Sequence, residues 1–492
     1  MRTLEICLGC ANALVLLALI GLRGTWLNAT VVIMLVLTIM QIVVEGWRWQ
    51  MVPAYAMSAG LTLAWLVKQY DLINKPSNFM LISFVSIGAI WLIVSVAAPL
   101  ALPVFRLPNP TGKYAIGTLT YHWVDANRRE LFAHDPAQKR ELMVQMWYPA
   151  QANATPKRAP YLDHPDQLTA AFAQLHHKPQ WLFSNARYVQ THAMPAAPIA
   201  TAEATYPVLI FLQGATGFRQ MNMVQVEELV SHGYIVVALD QPYTAASVVF
   251  PDGTHIQALP IDQMRPLIRA SYIAPETPLT LNGKPLESGS IIPYLADDVS
   301  FALDQLAMLN QHDPNDILTG HVDLAHAGVF GVSLGGIVAA EACQHDRRLQ
   351  ACLMMDAPMP LDVVASGLKQ PSMWLTRDAT CMRLEREQAG GWAEDEVVAH
   401  VSSMRSVFDR ATTGYFVEIA DTFHVNFTDM PLWSPLWRWL HLAGSIEPQR
   451  AHSISNAYSL AFFNQHLKQQ PSTLLDPAHH AFPEATLEVV DR

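Results

Sequence analysis

Gly328-Val-Phe-Gly-Val-Ser-Leu-Gly335 carries an apolar run through a glycine-flanked serine and opens directly onto Gly336–His345, whose apolar residues follow a helical pattern. Strand, tight turn and helix therefore succeed one another with Ser333 at the turn. A nucleophilic serine needs this arrangement. The sharp turn holds it in strained backbone geometry at the edge of a sheet, and glycines two residues either side leave room for the neighbouring chains.

Outward from this stretch the sequence keeps an alternating rhythm. Strand-like runs occur at Leu142–Trp147, Val208–Leu212, Ile235–Leu239, Gly328–Phe330, Cys352–Met355, Met373–Leu375 and Tyr415–Ile419. Amphipathic stretches separate several of them, as in Met223–His232, Leu295–Leu309 and Ile337–His345. Alternation of this kind predicts an α/β domain with a mostly parallel sheet covered by helices on both faces. The proline-rich stretches Pro149–Pro207 and Pro242–Pro293 read as insertions around that sheet.

Serine is a poor nucleophile at neutral pH, so a base must reach it and an acid must orient the base. The chain order in such a fold is serine, acid, histidine. His424 follows the strand-like Tyr415–Ile419 by a short loop, where a last strand would deliver the base, whereas His345, His400, His441, His452 and His466 fall in or beside helical patterns. Two acids compete. Asp356 ends Leu353-Met354-Met355 and Asp378 follows Met373–Thr376, and spacing does not separate them. Arg377 beside Asp378 reads as part of a solvated turn.

With these residues in view, the region Lys113–Lys468 resembles the hydrolases related to the plasma-type platelet-activating-factor acetylhydrolase and their bacterial relatives. The resemblance rests on Tyr206-Pro-Val-Leu-Ile-Phe-Leu-Gln-Gly-Ala-Thr-Gly-Phe-Arg219, His232-Gly-Tyr-Ile-Val-Val-Ala238, the serine turn, Leu353-Met-Met-Asp-Ala357 and Phe423-His-Val-Asn-Phe-Thr-Asp429. It implies an α/β-hydrolase fold, puts the acid at Asp356 and the base at His424, and implies an ester substrate with a small or short acyl group, in some members on a phospholipid. Acyl transfer also needs N–H donors aimed at the oxyanion, and the expected pair is Ala215, in Gly214-Ala215-Thr216-Gly217, and Leu334. Here the chain departs from the family, which commonly has His-Gly where Gln213-Gly214 stands.

The N-terminal part is of a different kind. Of 492 residues 51% are hydrophobic and 15% charged, below the roughly 25% charged of ordinary soluble domains. The first 104 residues carry only Arg2, Glu5, Arg23, Glu45, Arg48, Lys68, Asp71 and Lys75. Four apolar runs, Ile6–Leu22, Ala29–Val44, Met51–Val67 and Phe79–Leu102, are each near the length that crosses a bilayer as a helix, with Trp26, Trp47 and Trp49 at interfacial positions. The expected organisation is a membrane domain over residues 1–104 and a catalytic domain over 105–492. No ionisable residue stands mid-span, which favours an anchor over an ion path. Four spans leave both ends on one side, and Arg2, Arg48, Arg106 and Lys113 against Arg23, Lys68 and Lys75 lean that side to the cytoplasm by one basic residue. The expected location is the cell membrane.

Residues 105–492 have a formal net charge of −13, which argues against nucleic acid as a partner. Cys343, Cys352 and Cys381 are well separated and form no dense framework, and Cys7-Leu8-Gly9-Cys10 lies in an apolar run without a redox context. The pairs His176-His177 and His479-His480 lack helical metal-site spacing, and no phosphate-binding glycine loop is present, so neither metal nor cofactor is expected. Leu432, Trp433, Leu436, Trp437 and Leu440 recur as one face of a helix and are expected to pack in the core, the alternative being a membrane-facing lip for a lipid substrate. The reading is a membrane-anchored serine ester hydrolase of short or small acyl esters. Its alternatives are a carboxylesterase of soluble esters and a non-catalytic membrane sensor retaining the fold.

Overall fold

A computed structural model describes residues 1–21, 25–72, 77–152, 157–286 and 288–492. Among them the chain divides into two compact units, Met1–Phe105 with Trp433–Leu436, and Arg106–Leu432 with Trp437–Arg492.

The first unit contains α1 (Thr3–Gly21), α2 (Thr25–Met40, prolonged by a π turn to Glu45), α3 (Val52–Gln69) and α4 (Asn78–Ala101). All four helical stretches are long and apolar enough to cross a membrane. Their inward faces meet through Leu8, Val15, Val31, Met34, Met51 and Ala54, while Leu14, Ile33, Leu63, Ile82 and Ile93 face outward and are exposed. Outward apolar surface suits lipid as solvent, and several inward polar groups pair with one another as lipid demands. Ser58 Oγ donates to Asn12 Oδ1 (2.8 Å) and Asn12 Nδ2 to the Ala54 carbonyl (3.2 Å). Near the start of α1, Glu5 takes ion pairs from Arg2 (2.9 Å) and Arg48 (2.8 Å). Two of the seven basic residues counted toward orientation, Arg2 and Arg48, thus have acidic partners close by. Arg23 and Lys75, counted on the other side, lie outside the described residues.

The second unit is built on a ten-stranded sheet. Its strands are β1 (Ala115–Arg129), β2 (Lys139–Ala150), β3 (Ala193–Pro195), β4 (Tyr206–Leu212), β5 (Ile235–Asp240), β6 (Val322–Val332), β7 (Leu349–Met355), β8 (Ser372–Thr376), β9 (Thr413–Ile419) and β10 (Ala485–Asp491), in the order β10-β9-β8-β7-β6-β4-β5-β2-β1-β3. The central run from β5 through β4, β6, β7 and β8 to β9 is parallel, and β2 and β10 pair antiparallel at its flanks. Strands β4 and β5 are buried at every position, as sheets covered on both faces require. The seven strand-like runs all lie within strands. The longest strand of all, β1, alternates exposed and buried residues, and β10 occupies a C-terminal stretch whose sequence reads as polar tail.

The helices after α4 are α5 (Pro165–Leu175), α6 (Met223–Ser231), α7 (Ile261–Arg269), α8 (Ile292–Gln311), α9 (Leu334–His345), α10 (Leu361–Ser366), α11 (Ala379–Ala389), α12 (Glu394–Phe408), α13 (Met430–Trp433), α14 (Leu436–Trp439) and α15 (Pro448–Leu467), of which α13 and α14 each have residues in both units. The segment from Leu432 to Leu440 is not the single core-packed helix expected from its apolar spacing. Ser434-Pro435 separates α13 from α14, because a proline ring cannot continue the preceding turn. Trp433 is buried but Trp439 is 75% and Leu440 49% exposed. A disulfide joins Cys343 of α9 to Cys352 of β7, and Cys381 is free.

Candidate functional site

Ser333 lies between the end of β6 and the first residue of α9 with φ 56° and ψ −123°. A side chain held there is strained, and strain of this kind persists only where the surroundings over-determine it. The flanking residues do so. A Cβ on Gly331 would collide with the Gly335 carbonyl, and one on Gly335 with the Leu212 carbonyl of β4. The elbow thus packs backbone to backbone against the neighbouring strand.

Asp356 follows β7 directly, fully buried with φ 43°, and its N–H donates to the Leu375 carbonyl of β8 (2.8 Å). His424 opens the short turn after β9, and its Nδ1 donates to Asp356 Oδ2 at 2.6 Å. The imidazole is partly exposed while the carboxylate is not. The same Oδ2 accepts from Arg377 Nε (2.9 Å), and Thr376 Oγ1 donates to Oδ1 (3.3 Å). Burial alone would push the Asp356 carboxyl up. The Arg377 guanidinium, followed by the His424 hydrogen bond and imidazole, outweighs burial and holds it well below the usual carboxylate range.

The loop that delivers His424 is pinned by the rest of its own motif. Asn426 Oδ1 accepts the N–H groups of Phe423 and Gly444, both at 2.8 Å. Asp429 accepts from the N–H groups of Met223 (2.6 Å) and Val224 (3.3 Å) at the start of α6, and from the Tyr161 hydroxyl (3.2 Å). Its carboxyl therefore meets orphan donors at the start of that helix, and burial, only partly countered by those bonds, pushes it well above the usual carboxylate range.

After β4, the loop from Gln213 to Phe218 approaches the elbow closely, and a Cβ on Gly214 would lie 3.2 Å from Ser333 Cβ. Thr216 N–H donates to the Thr244 carbonyl and Gly217 N–H to Gly214, which leaves the Ala215 N–H outside this turn's hydrogen bonds. Leu334 is the first residue of α9, so its N–H has no partner one turn back. Among the described residues neither amide is thus committed to a backbone partner. Between Ser333 Oγ and His424 no hydrogen bond is formed among the described residues, a looseness common before substrate binds.

Asp378, the competing acid, stands elsewhere. It is exposed and caps α11 by accepting the Cys381 N–H (2.7 Å). Arg377, read from the sequence as a solvated turn, is fully buried, because it bridges Asp356 and, through Nη1, Glu385. Three further groups escaped the sequence reading. Glu385 accepts the His424 backbone N–H (3.3 Å). His400, on α12, brings Nε2 within 3.7 Å of Asp356 Oδ1, and burial pushes its imidazole down to about 4. The Trp392 ring stands edge-on to both His400 and His424. The one legible signal was a charged residue, Arg377, directly after a strand buried at every position. At the far end of α9, Glu341, His345 and Asp362 bring ligand-type atoms within 4.8 Å of one another, a grouping able to hold a cation.

The chain matches the family of platelet-activating factor acetylhydrolase, isoform II, over residues 102–258 and 303–476. It is 24% identical over 277 residues to the platelet-activating factor acetylhydrolase of Gallus gallus, covering 53% of this chain and 62% of that protein. To that of Canis lupus familiaris it is 22% identical over 389 residues, covering 74% and 77%. Among solved structures, a ferulic acid esterase from Streptomyces cinnamoneus superposes with a TM-score of 0.60 at 26% identity, over 78% of this chain and 99% of the esterase.

Proposed function

This chain belongs to the platelet-activating factor acetylhydrolase, isoform II, family, and on that premise we propose that it is a membrane-anchored serine hydrolase of carboxylic esters. Ser333 Oγ attacks the ester carbonyl while His424 Nε2 takes its proton. The imidazolium so formed is oriented and stabilised through Nδ1 by Asp356, and the Ala215 and Leu334 amides stabilise the oxyanion. His424 then returns the proton to the leaving alcohol, leaving an acyl ester on Ser333 that water cleaves by the same steps in reverse roles. The observation that carries this reading is the 2.6 Å bond between His424 and a buried, charge-held Asp356, on the same sheet end as a serine in strained elbow geometry.

The substrate class is an ester with a short or small acyl group, of the kind borne by phospholipids. Four apolar helices with outward apolar faces support an anchor at the bilayer, where such a lipid resides. The likeness to a ferulic acid esterase supports a second reading, hydrolysis of soluble esters. As to the side of the membrane, the one-charge lean to the cytoplasm rests partly on Arg2 and Arg48, which Glu5 and Glu45 neutralise. The buried Cys343–Cys352 bridge instead supports an oxidising compartment for the hydrolase unit.

The test is turnover of nitrophenyl acetate and of a short-acyl phospholipid in vesicles by purified full-length protein and Ser333→Ala. Both activities vanish in the variant if the reading holds. Faster turnover of the soluble ester with none of the phospholipid moves the assignment to the second reading, and activity retained by Ser333→Ala overturns both.

A further inference from the structure

We infer that Arg377 and Glu385 form a charge-balanced brace that positions the Asp356–His424 pair; this rests on the triad reading above. Four contacts close a ring. His424 Nδ1 binds Asp356 Oδ2, and Arg377 Nε binds the same oxygen. Arg377 Nη1 binds Glu385 Oε2, and Glu385 Oε2 accepts the His424 backbone N–H. The ring ties the ends of β7 and β8, helix α11 and the loop after β9 into one unit, so the acid and the base share a common frame. The guanidinium has no solvent exposure, and among the described residues Nη2 has no partner. Its side chain therefore spends its hydrogen bonds on these two carboxylates.

The brace has an electrostatic consequence. Arg377 places a positive charge on the oxygen that must stabilise the imidazolium, and Glu385 offsets that charge from the other side. The remaining groups near the pair are His400 from α12, which burial keeps neutral above about pH 4, the uncharged Trp392 ring, and Asp378 and Cys381 at the start of α11, which neighbour Arg377. Catalysis requires unprotonated His424. Removing the Arg377 charge makes the imidazolium easier to form and moves the acid limb of kcat/KM to higher pH. Removing the Glu385 charge does the opposite. Loss of packing alone moves neither limb.

The experiment measures kcat and KM for nitrophenyl acetate against pH with full-length protein and Arg377→Met, Arg377→Lys and Glu385→Gln, each normalised by fluorophosphonate labelling. Arg377→Met is expected to lower kcat by roughly ten- to a hundred-fold through loss of positioning, with KM little changed and the acid limb moved to higher pH. Arg377→Lys keeps the charge but spans only one carboxylate, so kcat falls while the limb stays near wild type. Glu385→Gln keeps an acceptor for the His424 N–H and lowers the limb, which tests the brace even where Arg377→Met does not fold. Limbs that stay fixed, or move in the same direction in both neutralising variants, overturn the brace. Labelling that persists in Ser333→Ala, or is absent from wild type, overturns the triad reading instead.

Discussion

Replacing Asp356 by asparagine tests the acid in a way peculiar to this site. Where an orienting aspartate is held only by neutral donors, asparagine can turn its amide toward the histidine, fix the wrong tautomer and lower kcat by roughly 10⁴. Here Oδ2 receives two donors, His424 Nδ1 and Arg377 Nε. Oδ1 instead faces Thr376 Oγ1 and His400 Nε2, both able to accept. The introduced side chain would therefore turn its carbonyl oxygen toward His424 and Arg377, its NH₂ toward His400, and preserve the tautomer. What is lost is the charge. A unit charge about 4 Å from the imidazolium is worth about 4 kcal/mol at an effective dielectric of about 20, and Arg377 on the same oxygen offsets part of it. Asp356→Asn should accordingly lower kcat/KM by roughly 10²–10³, less than tautomer loss would. Asp356→Ala leaves the Arg377 charge short of a partner and should destabilise the fold by about 3–5 kcal/mol as well. The assay is nitrophenyl acetate turnover by unlabelled protein, normalised to active sites counted by fluorophosphonate labelling of a parallel sample, with calorimetry beside it. Wild-type turnover in Asp356→Asn would refute the role of the acid, and a loss of 10⁴ or more would refute the orientation argued for the amide.

Three further outcomes follow from the geometry. Gly335→Ala drives a methyl into the Leu212 carbonyl and should destabilise the protein by about 3 kcal/mol while abolishing fluorophosphonate labelling; a normal melt with normal labelling contradicts it. Burial, reinforced by Asp362, pushes the Glu341 carboxyl up to about 8. Its folded-state value exceeds the unfolded one, so stability is full below about pH 4.5 and lost as pH rises toward 8, at about 1.4 kcal/mol per unit. Glu341→Gln should therefore raise the Tm at pH 8.5 and leave it unchanged at pH 4, as calorimetry at the two values will report. Cys343→Ser with Cys352→Ser removes the link between α9 and β7 and should lower stability by about 2 kcal/mol; thiol trapping of the wild type should find only Cys7, Cys10 and Cys381 reactive.

Legibility followed how local each signal is. The elbow could be read because glycine, serine and glycine at fixed spacing between apolar strand and helix record a backbone collision that only glycine avoids. The central strands could be read because burial on both faces leaves unbroken apolar runs such as Val208–Leu212. At the edges this fails. In β1 one face meets solvent, and in β10 Leu487, Val489 and Val490 are diluted by Glu488 and Asp491. Spacing left Asp356 and Asp378 level because both follow a strand; what separates them is a partner 68 residues away for one and a local helix cap for the other. Arg377, Glu385 and His400 were invisible for the same reason, since their roles depend on ends of strands and helices brought together by the sheet. The segment through Ser434-Pro435 misled because apolar periodicity outweighed a proline that breaks it.

Most directly, the central claim rests on which atom reacts. Full-length protein treated with a fluorophosphonate, digested and sequenced by tandem mass spectrometry should carry a single phosphonyl adduct, on Ser333, formed more slowly in His424→Ala and absent in Ser333→Ala. An adduct on another residue, or none in a preparation that hydrolyses esters, would contradict the account.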